Sequence, residues 1–429
     1  MVNGIIALLI FIFTLYLIFS EKLHRTIAGL LGAAAMLIVG KVFGFYSETE
    51  AIETIDFSTL GLLLGMMILV ALLEPTGIFE FIAIKAAQFS KGKPGKLLVL
   101  LGLITTVLSM FLDNVTTVIL IAPVTVLICE LLGFSPTPFL ITEALLSDTG
   151  GIATLIGDPP NLLIAAAAGL TFNDFLTHSL PIVVVTWITA LVLLKYLFRK
   201  ELNTSPSNIE GLMELNATEV LKEGKTAIRV MIVLVVAVIF FFLEELLHIS
   251  PAFIALTAAT VALVWVRPDP RETLSRIEWS VLVFFGALFI MVGGLEKTGL
   301  LESLAHGLSG LAHQNPLLFS IALLWFVALL SAFLDNIPIT VAFIPVIQSL
   351  AASGINVAAF WWALAFGAGL GGNGTIIGST ANIVVASLSE RTRNPITVKL
   401  WNKRGLPVML ATCAVTTILF IIAYPYLSK

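Results

Sequence analysis

The sequence predicts an all-α polytopic membrane protein made of two inverted repeats, each with five transmembrane helices, one of them broken, and one re-entrant hairpin. Three observations predict it. Of 429 residues, 58% are hydrophobic and 12% charged, and the mean hydropathy is +1.05, where soluble domains carry about 25% charged residues. Phe111-Leu112-Asp113-Asn114-Val115-Thr116-Thr117 and Phe333-Leu334-Asp335-Asn336-Ile337-Pro338-Ile339 set an Asp-Asn pair into otherwise apolar runs. The two stretches lie 222 residues apart, and the same offset relates Pro123 to Pro345, Glu74 to Glu296, Thr76 to Thr298 and Gly77 to Gly299. An offset of 221 relates Thr154 to Thr375, Gly157 to Gly378 and Asn161 to Asn382.

Apolar runs close to the roughly 17–20 residues that cross a bilayer fall at 2–19, 26–43, 57–74, 138–168 and 179–198, and again at 228–247, 251–266, 279–295, 357–388 and 405–427. Between the third and fourth span of each half lies the Asp-Asn element, within 97–131 and 316–350. Its arms hold about 15 residues each, or about 22 Å of helix, too short for a full crossing, so each reads as a re-entrant hairpin. With the N-terminus outside, the inner segments 20–25, 75–96, 195–229, 267–276 and 391–404 hold 20 Lys and Arg, against Lys41, Lys297 and Lys429 outside. That asymmetry puts both termini outside. A hairpin does not change sides, so five spans per half invert the second half relative to the first. The expected organisation is repeat 1 at 1–198, a cytoplasmic linker at 199–227 and repeat 2 at 228–429. Inverted repeats mark secondary transporters, with the site at their interface near the midplane.

Several classes are excluded. A net charge of −4 on such a chain gives no footing for nucleic acid. Cys129 and Cys413 sit in apolar runs without a CxxC pair, which predicts neither disulfide nor metal site. Val2 to Phe19 lacks a basic start and a small-residue cleavage site, and reads as a first span and not a removed signal. The Gly-rich run from Gly367 to Gly374 lacks the lysine of a phosphate loop. No HExxH motif or mid-span Ser-His pair predicts an enzyme, and no cofactor is expected. His24, His178, His248, His306 and His313 fall near span ends or in loops, as interface anchors.

An ionisable group at membrane depth is a functional-site candidate, which Asp113 and Asp335 are at the hairpin tips, and the polar Asn114, Thr116, Thr117 and Asn336 beside them join the candidate set. The fourth spans are interrupted by Gly157-Asp158-Pro159-Pro160-Asn161 and by Gly371-Gly372-Asn373-Gly374 through Gly378-Ser379-Thr380-Ala381-Asn382. Tandem Pro removes donors and Gly opens the backbone, and unwound backbone at that depth must be buried in protein or line a cavity. Thr149, Thr154, Asp158, Asn161, Asn373, Thr375, Ser379, Thr380 and Asn382 join the candidate set there. Asp158 before Pro159, and Asp113 or Asn114, also read as N-caps, and capping and binding are compatible. Two acids break the internal symmetry, because Asp148 falls opposite Gly369 and Asp158 opposite Ser379. An unpaired mid-span carboxyl suits proton exchange, and Asp148 is the first choice for proton coupling.

Inverted halves, each with a polar-tipped hairpin and a broken helix, resemble the Ion Transporter superfamily over essentially the whole chain. Glu21-Lys22-Leu23-His24-Arg25-Thr26, Phe111 to Thr117 and Gly157 to Asn161 resemble its branch of arsenite permeases, NhaD-type sodium/proton antiporters and the melanosomal P protein. Asp148-Thr149 is more similar to the arsenite permeases, and Gly157 to Asn161 to the P protein type. The resemblance implies an elevator-type transporter of the cell inner membrane, with a homodimer and a soluble ATPase subunit as possible partners beside the lipid bilayer. Four acids, Asp113, Asp148, Asp158 and Asp335, with no Lys or Arg in the expected core, suit a cation, a proton or a neutral polyhydroxyl solute, whereas dicarboxylates would meet like charge. Arsenous acid is uncharged at neutral pH and offers three hydroxyls. Proton-coupled efflux of arsenite and antimonite is therefore the leading expectation, and sodium/proton antiport the alternative.

Overall fold

The computed structural model describes residues 2–19, 23–300, 309–392 and 394–429. Glu21, Lys22 and His306, cited above, lie outside the described residues. Among the described residues, seventeen helices carry the architecture. They are α1 (Val2–Phe19), α2 (Arg25–Phe43), α3 (Phe57–Leu73), α4 (Ile78–Ser90), α5 (Pro94–Ser109), α6 (Asn114–Leu132), α7 (Thr137–Gly151), α8 (Pro159–Ala168) and α9 (Leu180–Leu197). After short turns between 201 and 220 follow α10 (Gly224–Phe242), α11 (Pro251–Val266), α12 (Trp279–Glu296), α13 (Pro316–Ser331), α14 (Asn336–Ala352), α15 (Ala358–Gly371), α16 (Thr380–Ser389) and α17 (Val398–Leu427). The described residues contain no strand. Seven helices among them are long and apolar enough to cross a membrane, and shorter apolar helices accompany them. One of the seven is α6, expected as the short return arm of a hairpin. It runs 19 residues because Asp113 caps its start and Gly133, at φ 71°, ends it.

Local sequence sets the ends of the other elements too. His24 accepts from the Thr26 N–H at the start of α2 and Gly44, in the left-handed region, closes it. Asp56 accepts from the N–H groups of Ser58 and Thr59 at the start of α3. Pro94, Pro251 and Pro316 stand in the first turn of their helices, where the missing N–H leaves nothing unpaired. Gly77, at φ 77°, is pressed against the chain between the halves, and a Cβ there would sit 1.8 Å from the Val220 carbonyl oxygen.

Packing follows an exchange between halves. Helix α2 lies along α12, and α3 along α11. Helix α5 packs on α7 and α13 on α15, while α6 packs on α16 and α14 on α8 across the halves. The last helices, α9 and α17, pack on each other. Small residues allow the closest of these crossings, since an added carbon on Gly65 of α3 would lie 2.5 Å from the Ala255 carbonyl carbon of α11.

Both breaks in the fourth spans are held by the same chemistry. Between α7 and α8, the Asn161 amide donates to the carbonyls of Gly151 (3.0 Å) and Thr154 (2.7 Å). Between α15 and α16, the Asn382 amide donates to the carbonyls of Gly372 (2.9 Å) and Thr375 (3.0 Å). The hydroxyl of Thr154 donates to the Met110 carbonyl, and that of Thr375 to the Ala332 carbonyl, tying each break to the turn of the neighbouring hairpin.

Gly65→Ala is expected to lower the stability of the detergent-purified protein by about 1–3 kcal/mol, because backbone and not a side chain faces the new methyl group. Gly286→Ala, with nothing within 4 Å of the added carbon, should leave it unchanged. Thermal unfolding of both variants checks the pair.

Candidate functional site

The hairpin tips and helix breaks converge on a cavity of about 210 Å³. Asp113, Asn114, Asp158, Asp335, Asn336 and Ser379 line it. The tips are built by capping. Asp113 Oδ1 accepts from the Thr116 N–H at 2.9 Å and Asp335 Oδ1 from the Ile337 N–H at 3.3 Å, so each aspartate starts the return arm of its hairpin. That leaves the next residue, an asparagine in both tips, free to turn its side chain inward.

The two asparagines reach the two remaining acids. Asn114 Nδ2 donates to Asp148 Oδ1 at 2.7 Å, and Ser379 Oγ donates to the same oxygen at 2.9 Å. Asn336 Nδ2 donates to both oxygens of Asp158, at 3.2 and 3.1 Å. Asp158 occupies the N-cap position of α8 but its side chain makes no capping bond. Asp148 and Asp158 are each 1% exposed, and the two asparagines 4% and 5%. Unpaired, such carboxylates would cost several kcal/mol each.

The positional asymmetry of the two acids has a geometric counterpart. A Cβ on Gly369 would meet the Ile152 side chain at 2.3 Å, so no acid fits there. Asn336 finds its carboxyl instead at Asp158, the position matching Ser379. Each tip therefore has one carboxyl partner, supplied from different backbone positions, and the reading of Asp148 as an acid without a counterpart is corrected in that sense.

The other candidates divide by what their side chains touch. Thr154, Asn161, Thr375 and Asn382 hold the breaks, as described above. Asn373 Nδ2 donates to Thr149 Oγ1 at 3.2 Å, and Trp401 Nε1 donates to the Asn373 carbonyl at 3.2 Å. Thr116 and Thr380 line the cavity and Thr380 Oγ1 donates to Asp335 Oδ2 at 2.9 Å. Asp148, behind Asn114 and Ser379, does not line the cavity. Four buried atoms of the set have no hydrogen-bond partner: Asp148 Oδ2, Asn373 Oδ1, Asn382 Oδ1 and Thr117 Oγ1.

Arg25 corrects the expectation of a core without basic side chains. Its guanidinium lines the cavity, 3.5 Å from Asp335 Oδ2, and donates to Thr380 Oγ1 at 3.3 Å. Glu278, just ahead of α12, joins it there, and Thr116 lines the same cavity. Burial pushes the Glu278 carboxyl up, Asp113 adds to that, and Arg25 and Thr116 oppose it. Both residues escaped sequence reasoning because they sit at helix ends, where charges count as loop residues. The signal was present for Arg25, which stands inside the polar run Glu21 to Thr26.

Comparison with known proteins fits this geometry. The model of the CitMHS family, described as citrate transporter, matches residues 15–367. The 46 kDa membrane protein of Mycobacterium leprae is 37% identical over 99% of this chain and 100% of its own. An uncharacterized transporter of Mycobacterium tuberculosis is 38% identical over 98% of this chain and 99% of its own. The human P protein is 32% identical over 95% of this chain, which spans 58% of the P protein. Among solved structures, the YdaH transporter of Alcanivorax borkumensis superposes with a TM-score of 0.60 at 17% identity, covering 86% of each chain, a likeness of fold. The chain is a multi-span membrane transporter and belongs to the CitMHS citrate transporter family of the Ion Transporter superfamily.

Proposed function

We propose that the protein is a proton-coupled secondary transporter that exports arsenite and antimonite across the cytoplasmic membrane, with both termini outside. The observation that carries this reading is the acceptor-rich lining of the cavity. Asn114, Asn336, Ser379 and Thr380 each turn a donor to a carboxylate, so the surface left for cargo is rich in oxygen acceptors. Arsenous acid brings three O–H donors to such a surface and no charge of its own. Citrate, the substrate in the family's name, would bring carboxylates to a cavity where five acids stand against Arg25 and Arg276.

Sodium/proton antiport is the second reading. It is favoured by the buried, unpartnered Asp148 Oδ2 and Asn373 Oδ1, since carboxylate and amide oxygens are what a hard monovalent cation accepts. In both readings Asp148 takes up and releases the coupling proton. The segments 1–198 and 228–429 act as inverted repeats about the linker 199–227, an assignment supported by the exchanged packing of α2 with α12 and α3 with α11. The hairpins and broken helices then form the moving unit of an elevator, and α1 to α3 with α10 to α12 its scaffold. A homodimer and a soluble ATPase subunit belong to the same proposal, and co-purification tests them.

Proteoliposomes separate the two cargoes. A pH gradient should accumulate arsenite against its concentration, and accumulation of radioactive sodium without arsenite movement would establish the second reading instead. Asp148→Asn keeps shape and hydrogen bonding while removing titration. It should retain arsenite binding within about threefold and abolish pH-driven accumulation; an unchanged pH profile would move the role to another acid. Disulfide cross-links from α6 to α3 should stop flux, whereas full flux in the cross-linked protein would argue against the elevator.

A further inference from the structure

We infer that Arg25 is a built-in counter-cation: it neutralises Asp335 while the transporter is unloaded, and a cation, or a proton taken up beside the one on Asp148, arriving at Asp335 displaces it. The inference rests on the proposed coupling of transport to protons and on movement of the hairpin unit. Arg25, Thr380 and Asp335 form a closed triangle. The guanidinium donates to Thr380 Oγ1 at 3.3 Å, Thr380 donates to Asp335 Oδ2 at 2.9 Å, and Arg25 Nη1 lies 3.5 Å from that same oxygen. These residues come from α2, the break ahead of α16, and the tip of the second hairpin. The triangle thus ties the proposed scaffold to both parts of the proposed moving unit.

Its geometry is that of a replaceable contact. One nitrogen reaches one oxygen at the long end of the hydrogen-bond range, and the pair is not the two-pronged arrangement that makes Arg-carboxylate contacts strong. Side-chain exposures of 28% and 24% leave both partners open to the cavity. A small cation or a proton therefore competes for Asp335 without having to break into a closed site.

The charges around the triangle give Arg25 somewhere to go. Asp113 and Asp158 of the proposed moving unit line the same cavity as Arg25 and Asp335, and so does Glu278. Glu278 precedes α12, which packs along α2, so it stays with Arg25 when the hairpins move. Once Asp335 is neutralised, the ionic part of the tie across the seam is gone and Arg25 keeps only its long hydrogen bond to Thr380 Oγ1. An empty carrier is tethered by charge and a loaded one is not. That is the condition for strict exchange, because a carrier that returns empty leaks. At the other tip Asp113 caps α6 through the Thr116 N–H and, among the described residues, forms no ion pair.

The test uses the full chain in liposomes with arsenite as the probe, and radioactive sodium in a parallel arm. Wild type is measured first. Failure of a pH gradient to accumulate either solute would remove the coupling reading on which the inference rests. Given coupled wild-type transport, Arg25→Gln should still move arsenite but let it run down its own gradient several-fold faster, with accumulation lost. Arg25→Lys should restore most of the coupling, Asp335→Asn should behave like Arg25→Gln, and the double variant should be no worse than either. Coupled accumulation equal to wild type in Arg25→Gln would overturn the inference. So would weakened arsenite binding with an unchanged coupling ratio, which would make Arg25 a cargo ligand. Should Arg25→Gln fail to fold, Thr380→Val, which removes the bridging hydroxyl and leaves both charges, should uncouple in part; full coupling there would equally overturn it.

Discussion

Four aspartates have to be carried into the middle of an apolar helical bundle, and the donors that meet them dictate what surrounds the site. A single charged carboxylate at a helix centre costs about 2.5–3.5 kcal/mol on insertion scales, so four of them require partners fixed in advance. The protein supplies these by placing an asparagine directly after each tip aspartate. The aspartate caps the return arm and the asparagine, one residue inside that arm, points its amide at a second acid. The Asp-Asn order is thus a geometric requirement. The first residue must lie outside the helix to accept its N–H groups, and the second must lie inside to have its direction fixed.

The same accounting explains the helix breaks. Stopping a helix at membrane depth frees carbonyls that no water can reach, and leaving them unmade costs far more than the net gain from making them. Asn161 and Asn382 each bridge two such carbonyls, with Thr154 and Thr375 pinning the loops to the hairpins. Hairpin and break are therefore one unit, since neither satisfies its backbone without the other. The proposed moving unit follows this boundary, and Arg25 crosses it.

Much of this was legible in the sequence, and the part that was not has a physical cause. Hydropathy placed the apolar helices, although one of the seven described helices long enough to cross a membrane is the expected hairpin arm α6; the Pro and Gly clusters gave both breaks within a residue or two, and the Asp-Asn pairs gave the turns from α5 to α6 and from α13 to α14. What spacing could not distinguish was an asparagine that faces a carboxyl from one that serves carbonyls. Asn114 and Asn336 face acids, while Asn161 and Asn382 face the backbone, and all four stand in polar stretches of similar composition. The return arm expected at 115–131 runs one residue further at each end because Asp113 caps its start and Gly133 ends it. Arg25 was lost for a different reason. Its charge was assigned to the inner loops, and a long side chain at a helix start reaches across a seam that only the packed helices create.

The two tips each have one buried carboxyl partner and differ in what surrounds it. Asn114 with Asp148 and Ser379 on one side, and Asn336 with Asp158 on the other, give each tip one carboxyl. Around them the match ends. Asn373 meets Thr149 through a hydrogen bond, while the residue matching Asn373 is Ile152, whose side chain fills the space beside Gly369. The unpartnered oxygens Asp148 Oδ2 and Asn373 Oδ1 belong to the polar side. The polar side thus lies behind Asn114 and Ser379, away from the cavity lining, and the matching position in the other half is filled by Ile152 against Gly369.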